Sequence, residues 1–472
     1  MKLRSTIVAA ALTLLAVPAH AAVTFDYLFD NAYGLAVSYD GSVVTGNTVS
    51  DYSAFRWTAA GGLVRLERSA AQMVGHSAGT PGISADGTKI ASTIGSPDSA
   101  YVTSGRWTLG QGWLQLESMP ADSGIGDKDL SSVWGMSGDG RNVVGLYWRY
   151  GHGPAHAYRW RQETGVVDLG ATARASRANG ASYDGSVIAG FDEHPQYGYR
   201  RPCAWRNNTL MQLGEYDAIG EAAPVSTTGE WVGGYEKNLD TNTREAALWH
   251  WDGSAWSATQ YLGSVPGTFP DQGIATARAI SADGKLVIGY NSFSGDPFET
   301  TGFIWTDSTG CMDIAFWLAD KGIEVDPNFD IKSLEAMTPD GKTLIGFGQT
   351  TNGPPDTLKT FRIRLDRTPV LAVDPTPANG PASLQLAISP NPMRVESAIH
   401  FTLPTSGPVT LTLHDVNGRL VRKLVSTDLA AGPHSLKWDR RNDAGGRVGS
   451  GVYFARLQAG TARAAGKFIN RD

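Results

Sequence analysis

The turn Ser38-Tyr39-Asp40-Gly41, entered from Leu35-Ala36-Val37 and left through Val43-Val44-Thr45-Gly46, is one of seven related copies. It returns at Ser84-Ala85-Asp86-Gly87, Ser137-Gly138-Asp139-Gly140, Ser182-Tyr183-Asp184-Gly185 and Ser281-Ala282-Asp283-Gly284. Ser226-Thr227-Thr228-Gly229 and Thr338-Pro339-Asp340-Gly341 are variants. Successive turn glycines lie 46, 53, 45, 44, 55 and 57 residues apart. A repeat of that length filled with short β-type runs restricts the chain to a propeller or a solenoid.

Each copy reads as four strands. An apolar run leads into the turn, where glycine tolerates positive φ and aspartate bonds its own backbone. A second run leaves it and ends on glycine, as in Val287-Ile288-Gly289. A variable polar loop leads to a third strand carrying Trp57, Trp107, Trp160, Trp205, Trp249 or Trp305, with Ile363 in the seventh copy. A short fourth run follows, as in Leu63-Val64-Arg65-Leu66. Four short antiparallel strands per unit make a propeller blade, so the chain is expected to be all-β, a seven-bladed β-propeller over residues 22–366. Val23 to Leu28 reads as an extra strand that pairs with the last unit and closes a ring. The weakened seventh copy leaves open a second arrangement, in which it caps an unclosed array.

The chain has 472 residues, more than one core normally holds, so a second domain is expected. The net charge of −6 is dispersed and no basic patch stands out, which argues against nucleic acid as a partner. Residues 1–21 have the form of a signal peptide: Lys2 and Arg4, an apolar run from Ile7 to Val17, and a small-residue cleavage site at Ala19-His20-Ala21. Cleavage near Ala21 takes the formal charge to −8 and leaves no apolar run long enough to span a membrane in the mature chain. Cys203 and Cys311 are separated by a whole blade and are expected to be unpaired thiols. Residues 367–383, with Pro369, Pro375, Pro377 and Pro381, read as an extended linker. Residues 384–472 alternate with hairpin signals such as Asn417-Gly418, as a small β-sandwich does. Its strands are read at Leu384–Ile388, Ala398–Leu403, Val409–His414, Gly418–Leu424, His434–Trp438 and Gly451–Leu457.

The succession of Ser-x-Asp-Gly, a β run ending in glycine, and Ala-Phe-Arg-Trp-Thr resembles the HAF family of extracellular repeats. That resemblance implies export and a repeated β architecture, but no particular chemistry. The fifth copy lacks the turn aspartate, and the fourth has Ala204 where others carry arginine before tryptophan. The C-terminal module resembles FlgD-type immunoglobulin-like domains and the sorting domains of type 9 secretion. The matching residues are Ser389-Pro390-Asn391-Pro392, Asp415, Asn417-Gly418-Arg419, Trp438-Asp439, Asn442, Ser450-Gly451-Val452-Tyr453-Phe454 and Lys467. The resemblance implies contact with secretion or anchoring machinery.

Turn residues Asp40, Asp86, Asp139, Asp184, Asp283 and Asp340 are read as structural, bonding backbone N–H groups inside their own turns. The recurrent tryptophans are read as core. No metal site, cofactor or catalytic set is expected. His152 and His156 lack the spacing of a helical zinc motif, and Glu193 with Glu221 or Glu245 forms no recognisable acid pair. The loops between second and third strands break the repeat and share one edge of the fold, where scaffolded binding residues concentrate. The candidate binding face is therefore Trp148, Arg149, Tyr150 and His152 in unit three, Glu193, Tyr197, Tyr199, Arg200 and Arg201 in unit four, and Asp240 and Arg244 in unit five. Flat aromatic rings beside charged groups suit a carbohydrate or a protein loop. The expected role is a secreted or cell-surface, non-catalytic binding or adhesion protein. The competing readings are an extracellular glycosidase or lyase, and a structural component of an envelope or matrix.

Overall fold

The computed structural model describes residues 23–67, 79–95, 102–116, 131–148, 154–170, 174–214, 219–265, 274–292, 299–350, 357–365, 385–389, 397–403, 405–415, 419–460 and 462–470. The expected signal peptide and the proline-rich linker lie outside these residues. The chain divides into two compact units, residues 1–369 and 370–472.

In the first unit, the recurring turn has one geometry throughout. Gly41 N–H donates to the Ser38 carbonyl at 2.9 Å, closing the reversal, and Gly41 sits at φ 72°. The Ser38 hydroxyl donates to Asp40 Oδ1 at 2.6 Å and accepts from Val43 N–H at 2.9 Å. The same Oδ1 accepts from Ser42 N–H at 3.0 Å. Asp86, Asp139, Asp184, Asp283 and Asp340 accept equivalent pairs of bonds. In the fifth copy the Thr228 hydroxyl stands in for the carboxylate with longer bonds of 3.3 Å, yet Gly229 keeps φ 71°. Glycine and serine therefore define the turn, and aspartate tightens it.

These bonds set an acid dependence. The Ser38 hydroxyl, with Ser42 N–H, holds the Asp40 carboxyl below its ordinary value. Burial pushes Asp86 and Asp184 upward, but the hydroxyl and backbone donors outweigh it and both lie low. A depressed folded-state pKa contributes stability that is present above the unfolded value of about 3.9 and is lost as the pH falls through the folded value. Thermal midpoints measured from pH 7 to 2 are expected to be flat to about pH 5 and to fall below about pH 4. Replacing Asp40, Asp86 and Asp184 together by Asn keeps the acceptor oxygens, removes the titration and should shallow that fall.

The turns also bond one another. Tyr39 N–H donates to the Ala85 carbonyl, Ala85 to Gly138, Tyr183 to Thr227, and Ala282 to Pro339, at 2.7–3.1 Å. The third strands reinforce the link: Arg56 donates to the Gly87 carbonyl at 3.2 Å, Arg161 to Asp184 at 3.1 Å and Arg206 to Gly229 at 3.1 Å. In the first unit the arginine before tryptophan reaches the neighbouring turn, and in the third and fourth units the arginine after it does.

Among the described residues of the first unit, the strands form five four-stranded sheets and one of eight, the eight-stranded sheet being two sets of four joined by a single parallel bridge between Arg244 and Ile274. Counted at that bridge they make seven groups of four. The first strands are Ala32–Val37, Gly82–Ile83, Ser131–Met136, Ser176–Ala181, Gly220–Val225, Ile274–Ile280 and Phe329–Met337. Each touches the next and the last touches the first, so they enclose a central channel. This is a β-propeller. The seventh group supplies only three strands of its own. Its fourth is Val23–Asp30, which pairs antiparallel with Leu358–Leu365 from Val23 opposite Leu365 to Asp30 opposite Lys359.

Six of the seven first strands share a defect; Gly82–Ile83 does not. Register shifts fall between Gly34 and Ala36, Val133 and Gly135, Ala178 and Gly180, Ala222 and Val225, Ala277 and Ala279, and Leu334 and Ala336. Each is a bulge at about the same distance before its turn. The opposing second strands meet it with a glycine. A Cβ on Gly46, Gly145, Gly190, Gly234, Gly289 or Gly346 would collide with the carbonyl of Tyr33, Ser132, Arg177, Glu221, Thr276 or Ser333. In these six groups the glycine of the second run is thus the counterpart of the bulge, and the bulge aims its extra residue into the channel.

Core clusters draw on adjacent groups. Val144, Ala157 and Leu169 of the third pack with Ala178, Ile188, Cys203 and Trp205 of the fourth, and Val187, Ala189 and Ala204 of the fourth with Val232, Ala247 and Trp249 of the fifth. Cys203 and Cys311 are both buried free thiols, and burial raises the pKa of each. A helix, Ile314–Asp320, capped by Asp313, follows the sixth group.

The second unit holds a three-stranded sheet, Gln385–Ser389, Ser397–Leu403 and Gly432–Trp438, and a four-stranded sheet ordered Leu420–Leu429, Gly407–Asp415, Gly451–Ala459 and Ala462–Asn470. The last strand, Ala462–Asn470, is not among those read from the sequence. Trp438, Leu411, Leu413, Ile399, Phe468 and Tyr453 form part of its core. Trp438 Nε1 donates to the Arg441 carbonyl at 2.8 Å.

Candidate functional site

Chain direction assigns the two edges of the propeller. First strands run toward the Ser-x-Asp-Gly turns, so the opposite edge carries the loops between second and third strands. Trp148, the Glu193–Arg200 loop and the Asn238–Thr243 loop all lie at that loop edge. Trp148 is half-buried at the end of Asn142–Trp148, and Arg149, Tyr150 and His152 lie outside the described residues. His156 belongs to the strand Ala155–Arg161, where it is buried with Nδ1 3.1 Å from Asp168 Oδ2.

The fourth group contains the most organised of these loops. His194 N–H donates to the Tyr199 carbonyl at 2.8 Å, and Gly198 N–H returns to the His194 carbonyl at 2.9 Å with Gly198 at φ 72°. His194 Nδ1 accepts from the Gln196 and Tyr197 N–H groups at 3.1 and 3.2 Å. Arg174 clamps the outside through the Pro195 and Gln196 carbonyls. The buried imidazole stacks with both Tyr197 and Tyr199, at 4.8 and 5.0 Å between centroids. The two phenol rings are parallel within 6° and 6.2 Å apart. Two stacking intervals of about 3.5 Å each would exceed that separation, so the imidazole is not sandwiched between them. Both tyrosines lie on one side of it as a shelf, and Tyr197 is 65% exposed.

Other candidates separate. Arg201 is buried, with Asp192 3.7 Å away, because it lies on a strand whose alternation turns it inward. It is removed from the binding face. Asp240 and Arg244 are exposed, and Glu193 is half-buried opposite Arg200 in the strand register. Glu245 is buried and accepts from Asn238, Thr241 and Thr243.

Arg200 turns toward the channel. Its Nη1 donates to Glu221 Oε2 at 2.9 Å, and its guanidinium lies 4.5 Å from the Phe191 ring centre. Glu221 also binds Arg177 and accepts from Asn179 Nδ2 at 2.9 Å. Arg177 stacks over Trp134 at 3.6 Å. Burial lowers the Arg177 pKa, Glu221 opposes that and Arg200 adds to it. Tyr235 is raised to about 12, chiefly by burial and then by Glu221, against Arg200, Arg244 and Arg177. Across the channel Arg278 Nε donates to Glu335 Oε2 at 2.7 Å. Trp134, Asn179, Arg278 and Glu335 are bulge residues, and Arg177 and Glu221 stand two residues ahead of theirs. Sequence reasoning missed this set. The signal available was the glycine ending each second run, which marks where an inner residue must project.

Residues 394–463 match the FlgD Ig-like domain family. No curated protein matches the chain. Among solved structures, the chain is similar to TolB from Acinetobacter baumannii, at 17% identity and TM-score 0.33, covering 49% of this chain and 56% of that one. It is similar to the β-propeller domain of the Trilobed protease from Pyrococcus furiosus, at 13% identity and TM-score 0.44, covering 72% and 98%. It is also similar to PorZ, a bacterial surface component of the type-IX secretion system of Porphyromonas gingivalis, at 13% identity and TM-score 0.30, covering 91% and 65%.

Proposed function

We propose that this is an exported, cell-surface or secreted, non-catalytic carbohydrate-binding protein, built as seven blades of HAF-type repeats with a C-terminal FlgD-like module that serves sorting or anchoring. The observation that carries the reading is the shelf of Tyr197 and Tyr199 over His194. Parallel phenol rings fixed by a bonded loop present a flat, amphipathic surface at little entropic cost, which suits the apolar face of a sugar ring. Export is supported by the signal-peptide form of residues 1–21. No helix among the described residues is long and apolar enough to cross a membrane. Of the carboxylates considered for glycoside chemistry, both candidate partners of Glu193 are engaged elsewhere, Glu221 by two arginines and Glu245 by three donors.

A glycan array probed with the full chain, with product analysis on every hit, tests the proposal. Binding without turnover is expected, weakened at least about tenfold by Tyr197→Ala with Tyr199→Ala, equivalent to about 1.4 kcal/mol or more. Unchanged affinity in that variant removes the shelf as the site, and released oligosaccharide replaces binding by catalysis.

A further inference from the structure

The geometry points to a second site, separate from the tyrosine shelf: the central channel is a binding pocket for a small organic carboxylate, gripped by Arg278 and Arg177. The channel holds a cavity of 240 Å³ lined by all seven groups. That lies just below the range of about 300–1,000 Å³ typical of drug-sized pockets, so it fits an occupant of monosaccharide or small-acid size. The turn edge is narrowed. Tyr39 and Tyr183 approach to 5.9 Å between centroids, and a Cβ on Gly138 would strike both. The occupant therefore comes from the loop edge.

The cavity is charged. Arg177, Arg278, Glu221 and Glu335 line it, and Arg200 reaches Glu221 from the loop edge. Glu221 is shared by two guanidiniums, whereas Glu335 pairs with one guanidinium among the described residues, Arg278, and also accepts from the Ser333 hydroxyl. Three guanidiniums thus face two carboxylates, an imbalance that favours one further negative charge.

The arginines are also left with donors to spare. Arg278 uses Nε for Glu335, and its two terminal nitrogens have no hydrogen-bond partner among the described residues. Its side chain keeps 23% of its surface, open to the cavity. Arg177 is held by Asn179, Glu221 and the face of Trp134, which leaves Nη1 without a partner among the described residues. A guanidinium anchored at Nε presents its terminal pair as a fixed fork, the geometry that binds a carboxylate through two bonds. Because both arginines are braced, little ordering is required when the anion arrives.

Calorimetric titration of the full chain with galacturonate, succinate and glucose tests the assignment. Galacturonate is expected to bind and glucose not. Succinate binding as well assigns a general carboxylate site, and its failure narrows the occupant to an acidic sugar. Arg278→Met should weaken galacturonate at least about tenfold, or about 1.4 kcal/mol. Arg278→Met with Glu335→Gln should lose binding equally, with its thermal transition retained because no buried carboxylate is orphaned. Tyr197→Ala with Tyr199→Ala should leave it unchanged, which separates this site from the shelf. Binding of none of the three, binding of glucose as tightly as galacturonate, or indifference to both Arg278 variants overturns the proposal.

Discussion

A chain lacking residues 23–30 is expected to lose cooperative folding. The strand Val23–Asp30 is the fourth strand of the seventh group, and the ring is joined through it. Phe25 stacks on Phe361 at 4.8 Å, and Tyr27 meets Phe329 edge-on at 5.0 Å. Phe29 meets Phe55 of the first group at 5.1 Å, so one strand ties the two ends of the repeat array together. Asp26 and Asp30 bind Arg362 and Lys359 at 3.1 and 2.9 Å. Those surface pairs are worth little beside the aromatic contacts: full burial of a ring contributes about 1.5–3 kcal/mol, and half-buried Phe25 and Phe29 realise part of that, while Tyr27 is 46% exposed and realises less. Against a net stability of about 5–15 kcal/mol, losing these ring contacts together with a whole strand pairing removes much of the margin. The deletion would also expose Leu358–Leu365 as an edge with unsatisfied backbone groups, a template for association. Circular dichroism melting and size-exclusion chromatography are expected to show a broad transition and soluble aggregates. A synthetic peptide of residues 23–30 should restore the sharp transition by strand addition. A single transition within a few degrees of the parent would mean that contacts between Ala32–Val37 and Phe329–Met337 hold the ring unaided.

That strand was legible in the sequence because its alternation stood just ahead of a repeat series whose last copy was incomplete. The turns were legible for a different reason: Ser-x-Asp-Gly encodes its own local geometry, and the hydrogen bonds of Asp40 and its counterparts close within five residues. The channel was not legible. Trp134, Asn179, Arg278 and Glu335 share a position in the repeat but no chemistry, so by sequence they look like variation in an inner strand. Their convergence depends on ring closure, which brings together residues 201 positions apart in the case of Trp134 and Glu335. Strand phase misled in the other direction for Arg201. It sits beside Arg200 in a polar stretch, yet one residue of alternation sends Arg200 to Glu221 and buries Arg201 near Asp192. The fifth copy makes the complementary point, since losing the turn aspartate leaves the turn intact while Gly229 keeps its left-handed φ.

The recurrent tryptophans, equivalent in the repeat, are expected to differ in energetic weight. Trp205 is 1% exposed, and its Nε1 donates to the Leu169 carbonyl at 2.8 Å, across the boundary between the third and fourth groups. Trp249 is fully buried and donates to the Thr259 hydroxyl at 3.0 Å, which itself donates to Glu236 at 2.5 Å. Trp160 is 3% exposed, but its Nε1 is buried without an acceptor among the described residues. Truncation of Trp205 to alanine should cost about 3–5 kcal/mol, the transfer and cavity terms together. Replacement by phenylalanine isolates the polar contribution, because the loss of ring volume is similar at each site. Trp205→Phe strands a buried carbonyl, and its cost should exceed that of Trp160→Phe by about 1–3 kcal/mol. Trp249→Phe should fall between them, since Thr259 keeps its bond to Glu236 when the indole is gone. Urea unfolding of the three phenylalanine variants gives the order directly. Equal costs at the three positions would assign the repeated tryptophan to volume alone, with the bond from Trp205 to Leu169 contributing nothing to the contact between groups.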